Sequence, residues 1–131
     1  MRKNAREVAF EVIFASYFTG EQETGLKNAL YKNEKLDADD KAYADRVLSI
    51  VAEHSGEFLK IIDGRSEAFP ESRLFPADKS VLLLALAEIY YMDDIPDVVS
   101  ANEAANIASK FSSPRSASFV SGILSEIIRE K

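Results

Sequence analysis

Apolar positions along this chain recur at helical spacing almost from end to end. Phe10, Ile13, Phe14 and Tyr17 follow i, i+3, i+4, i+7, which predicts one amphipathic helix over 3–19, stopped by Gly20. A weaker pattern, with Leu26 and Leu30 on one side, predicts a helix over 24–33. Asp37-Ala38-Asp39-Asp40 supplies the side-chain oxygens and early acids that open a helix, and Tyr43, Val47, Ile50 and Val51 give it one face to about residue 54. Phe58, Ile61 and Ile62 mark a separate short helix ending near Gly64 or Phe69-Pro70. Residues 64–76, with Gly64, Pro70 and Pro76, read as the longest connection. From 77 to 92 the chain is apolar on nearly every side, which predicts a central, surrounded helix; its length and Leu/Ala content favour that over a buried strand. Pro96 opens a helix over 97–111 whose buried positions are mostly alanine, allowing close helix approach. Ser113 and Pro114 start the last helix, with Phe119, Val120, Ile123, Leu124, Ile127 and Ile128 as its stripe. The pattern as a whole is all-α: a compact bundle of about seven helices in one domain, 1–131.

Composition narrows the chemistry. The chain has 131 residues and no cysteine, so neither a disulfide nor a thiolate metal site is available. The longest purely apolar run, Val81 to Ala87, is far short of the about 20 residues a bilayer span needs. Met1-Arg2-Lys3-Asn4 leads straight into an amphipathic pattern with no secretory signal, and the expected location is cytoplasmic. His54 is the one histidine, late in a helix, and no motif sets a nucleophile beside it. No phosphate-binding glycine loop and no metal-spaced cluster stand in the sequence, so no enzyme and no cofactor is expected. Function should lie in surfaces.

Net charge is −6, which opposes non-specific nucleic-acid binding. The charges are unevenly spread: Arg2, Lys3 and Arg6 begin the chain without an acid among them, whereas residues 34–45 hold Glu34, Asp37, Asp39, Asp40 and Asp45 against Lys35 and Lys41. The stretch SKFSSPRSASFVSG, residues 109–122, sets Phe111 and Phe119 around a segment of serines, one proline and Arg115. It is either a helix–helix turn between two buried rings or a shallow site for an anionic ligand.

The second half carries a distinctive series: Arg73-Leu74, Asp78-Lys79, Leu82 to Glu88, Ile95-Pro96, Asn102-Glu103-Ala104, Phe111, then Phe119-Val120-x-Gly122-Ile123-Leu124. With Ala5-Arg6-Glu7 and Ala9 in the first helix, it resembles the NusB family of bacterial transcription factors. The resemblance covers nearly the whole chain; only residues 20–40 are unspecific.

The resemblance implies a two-lobed helical fold and a non-enzymatic antitermination factor. Such a factor pairs with NusE, a small-subunit ribosomal protein, and binds the single-stranded boxA element of ribosomal RNA operon transcripts in the RNA polymerase antitermination complex. Some members self-associate, so a homodimer is a further implied state. A related domain is fused to ribosomal RNA cytosine methyltransferases, but this chain is too short for that catalytic domain and has no cysteine nucleophile.

RNA single strands are held by phosphate contacts and aromatic stacking. The expected RNA-binding residues are therefore Arg2, Lys3, Arg6 and Phe14 on the first helix, and Arg115, Ser116 and Phe119 at the start of the last. Asp78 matches the family's partner surface; taken alone, it is an acid favoured by a helix N-terminus. Where the family commonly has an acid beside the loop serine, this chain has Arg115; lysine and asparagine of the family pattern are Ser118 and Ser121. The alternative function is a protein–protein adaptor that binds the ribosomal protein without its own RNA recognition, which the acidic surface also suits.

Overall fold

A computed structural model describes residues 2–65 and 74–131. Among them are six helices: α1 (Arg2–Thr19), α2 (Thr24–Asn33), α3 (Ala38–Asp63), α4 (Pro76–Tyr91), α5 (Asp97–Phe111) and α6 (Pro114–Glu130). The expected Arg73 motif position and the Phe69-Pro70 boundary lie outside the described residues.

Starts and stops follow the expected chemistry. Gly20, at φ +88°, closes α1 with its N–H on the Ser16 carbonyl at 2.8 Å. Asp37 caps α3, accepting from the Asp40 N–H at 2.8 Å. Ser113 caps α6, accepting from the Ser116 N–H at 3.0 Å. The end of α2 is different: Lys35 adopts φ +52° where a glycine is the usual choice. The Lys35 N–H bonds the Lys32 carbonyl and the Leu36 N–H the Tyr31 carbonyl, both at 3.1 Å, and Leu36 and Tyr31 are buried together.

The sequence pattern predicts one helix from 38 to about 54 and a separate short one marked by Phe58, Ile61 and Ile62; the structure has one continuous helix, α3, through Gly56 to Asp63. A mid-helix glycine costs only about 1 kcal/mol relative to alanine. Keeping the helix intact buries Phe58 and Ile62 completely, in line with Tyr43, Val47 and Val51. Each such side chain contributes about 1.5–3 kcal/mol, so burial outweighs the glycine.

Helices α1–α3 form one lobe and α4–α6 the other, with α4 packed on α1 and α3 across the junction. As its pattern predicts, α4 is central: every residue from Ser80 to Ile89 is buried. The small face of α5, with Ala101, Ala104 and Ala108, packs closely on α4 and α6.

A polar knot ties the lobes. Glu88 of α4, 1% exposed, accepts from Arg6 of α1 at 2.8 and 3.3 Å, from Ser100 of α5 at 2.8 Å, and from the Tyr43 hydroxyl of α3. Burial works against the Arg6 charge, but the Glu88 bond and charge outweigh it, and the guanidinium pKa is raised. Burial, then Glu88's charge and bond, push the Tyr43 phenol well above its usual value and keep it protonated.

Candidate nucleic-acid interface

The start of α6 meets the start of α4 in a groove of about 520 Å³ lined by Leu74, Phe75, Asp78, Ser113, Arg115, Ser116 and Phe119. Four residues singled out from the sequence, Asp78, Arg115, Ser116 and Phe119, are thus brought together from two helices distant in sequence.

Asp78 lies in the first turn of α4 and is buried. Its Oδ2 accepts from the Ser116 hydroxyl at 3.3 Å, while Oδ1 is buried without a hydrogen-bond partner among the described residues. Burial raises its pKa, and the Ser116 bond only partly opposes that. The hydroxyls of Ser112 and Ser113 lie 2.9 and 3.3 Å from that of Ser116. The serine-rich stretch is therefore a hydrogen-bonded chain ending on a carboxylate. It spends most of the donors a phosphate would want: Pro114 has no N–H, the Ser116 N–H is taken by the cap, and the Ala117 N–H bonds the Ser113 carbonyl, which leaves the Arg115 N–H. Arg115 stays exposed at the rim.

Neither ring of the stretch is a full core plug. Phe119 is half-buried against the core, and Phe111 is 38% exposed. Phe111 lies 4.9 Å from Phe10, which stacks at 5.9 Å on Phe14; Phe14 in turn meets Phe18 edge-on at 5.3 Å. An aromatic row thus runs along α1 onto the end of α5, with Phe14 half-buried in its middle.

The chain-start cations go separate ways. Arg6 belongs to the Glu88 knot, so the residue expected to meet phosphate is committed inside the protein. Arg2 sits 4.4 Å over the Tyr43 ring, 4.0 Å from Asp40. Lys3 is exposed and lines a hollow with Glu7, Glu103 and Lys110, where Lys110 is bonded to Glu7. The sequence reading missed Phe75, which is 70% exposed at the groove mouth. Its signal was present: an apolar residue in the cap position before Pro76, where a side-chain oxygen is usual.

The NusB family model matches residues 3–129, nearly the whole chain. The chain belongs to the NusB family. It is 32% identical over 127 residues to the transcription antitermination protein NusB of Agathobacter rectalis, covering 95% of this chain and 97% of that one. It is 34% identical to the NusB of Geobacter sulfurreducens, covering 96% and 92%. Among solved structures, the fold matches T. maritima NusB with TM-score 0.91 at 28% identity, over 99% and 92% of the two chains. It also matches, with TM-score 0.89 at 23% identity over 99% and 97%, a chain from a structure of antitermination factors NusB and NusE with double-stranded RNA. The NusB fold accounts for the helix order and the two lobes described above.

Proposed function

We propose that this chain is a transcription antitermination factor that pairs with NusE and binds boxA-type single-stranded RNA of ribosomal RNA operon transcripts, delivering it to the RNA polymerase antitermination complex in the cytoplasm. The observation that carries this is the family match along residues 3–129, joined by relatives named for antitermination over almost their whole length. The role is one of binding, without catalysis. His54, the one histidine, is spent at the surface, stacked on Tyr91 at 4.2 Å and 3.1 Å from Glu57.

In this reading Arg115 supplies the phosphate contact at the α6 start, with Phe119 and the Phe14 row offering ring surface, and Arg2 and Lys3 adding charge at the start of α1. Arg6 and Ser116 act from behind, Arg6 by holding α1 to α4 and Ser116 by fixing Asp78. Exposed Phe75, at the mouth of the groove that Asp78 lines, suits an apolar contact from a partner. Few cations are available, so RNA binding by the chain alone is weak and strengthens when a basic partner joins. One observation favours the adaptor reading instead: the first turn of α6 has already committed the Ser116 and Ala117 N–H groups.

Fluorescence anisotropy with a short boxA RNA at fixed salt, with and without NusE, separates the two. Arg115→Glu should lower RNA affinity of the NusE-bound chain about tenfold, the scale of removing one charge-assisted hydrogen bond, with NusE binding kept. Stable NusE binding without any RNA uptake would leave the adaptor.

A further inference from the structure

The segment 34–45 reads as acidic, yet the fold sorts its charges. Asp37 is used as the α3 cap, Asp40 is buried near Arg2, Asp39 faces the hollow that holds Arg2 and Arg46, and Glu34 acts on Glu11 and Lys110 of α1 and α5. The lysines gather instead. Lys27, Lys32, Lys35 and Lys41 line one groove of about 500 Å³ between α2 and α3, with Asp45 its one acid among the described residues. Asp45 is already held by Lys27 at 3.1 Å and by the Tyr31 hydroxyl at 2.7 Å. Lys32, Lys35 and Lys41 are exposed and make no ion pair among the described residues. Lys35 is placed at the rim by a left-handed backbone, φ +52°, that a glycine would adopt more cheaply.

We infer that this lysine groove is a second anion site, which takes the phosphate backbone of single-stranded RNA flanking the element bound at the α6 start. The choice of ligand rests on the RNA reading above. The groove's own chemistry supports it. Three ammonium groups with no ion pair among the described residues are point charges suited to phosphates and give no fork for reading a base edge. The groove's ring, Tyr31, is buried with its hydroxyl bound, so bases do not stack there. Leu36 is buried as well, which leaves little apolar surface for a peptide's side chains. A nucleic-acid strand offers one negative charge per nucleotide and needs neither.

The binding it adds is therefore independent of sequence and sensitive to salt. The test compares a short boxA RNA with the same RNA extended by about ten uridines on either end, near the length one such groove occupies. It uses the chain with NusE, as wild type and as Lys32→Glu/Lys41→Glu. At low salt the extension should tighten wild-type binding about tenfold and the variant hardly at all. The wild-type salt slope should be steeper by about 0.7 for each phosphate held. No gain from either extension, or equal loss by the variant on short and extended RNA, overturns the groove. Failure of the short RNA to bind overturns the antitermination reading instead. The groove is then judged from oligouridine on the free chain, where it stands if the variant loses binding and falls if it does not. Displacement of oligouridine by polyglutamate at equal charge would also overturn the assignment, in favour of an acidic peptide.

Discussion

Two carboxylates are buried on α4, and the protein treats them in opposite ways. Glu88, near the C-terminal end, is met from three other helices by Arg6, Tyr43 and Ser100, and its charge is answered in full. Asp78, in the first turn, has Ser116 on one oxygen and no partner on the other among the described residues. Glu88 lies where both lobes close on it, so every face of its carboxylate finds a donor. Asp78 lies where two helix starts meet at a groove, so only Ser116 reaches it and the other oxygen is buried without a donor among the described residues. A buried carboxylate met on all sides can keep its charge inside the fold; one left half-satisfied holds its proton more readily.

The contrast breaks most visibly in stability. Glu88→Ala leaves Arg6 buried with only the longer contact to Glu103, at 4.0 Å, among the described residues, and should cost about 3 kcal/mol in urea unfolding. Removing both charges, with Arg6→Met and Glu88→Gln, should cost clearly less and leave RNA affinity near wild type; a large loss of RNA binding by this stable pair would return Arg6 to the interface. Ser116→Ala takes the remaining bond from Asp78 and should cost about 1–3 kcal/mol, the penalty of a buried polar group left alone.

Asp78→Asn should change stability least at neutral pH, by about 1 kcal/mol or less, because the native state already disfavours the charge there. Its pH dependence carries the sign. The Asp78 pKa is raised on folding, so the folded state holds the proton more tightly than the unfolded chain. The stability it contributes is present at low pH and lost as pH rises through its folded pKa. Wild type should therefore gain on Asp78→Asn as pH falls. Two parallel stability–pH curves would mean that Asp78 is not perturbed, and the comparison with Glu88 would fail.

Much of the architecture was legible because burial repeats at the helical period and caps are local. The acid at Asp37, the serine before Pro114 and the glycine at position 20 each end or begin a helix through atoms a few residues away. The extent of α3 was not legible: residues 53–57 are polar apart from Gly56, and only the packing of Phe58 on Tyr91 of the other lobe shows the apolar face running on. At the groove between the starts of α4 and α6, the sequence marked Asp78, Arg115, Ser116 and Phe119, but as separate residues. It set Arg6 with Lys3 as equals, although one is sealed inside and the other is exposed. The lysine groove was hidden altogether, since in the chain those lysines alternate with acids that the fold turns elsewhere.

By itself, then, the sequence determined the helices other than the full extent of α3, their order, the central place of α4 and, through the motif series from Arg73 to Leu124, the family. Those depend on spacing along the chain, and spacing is what a helix converts directly into a face. Only the tertiary structure decided which charges are spent and which are offered. A side chain's partner is chosen by what packs against it from elsewhere in the chain, and burial makes a charge answered by Arg6, Tyr43 and Ser100 very different from one that Ser116 reaches alone.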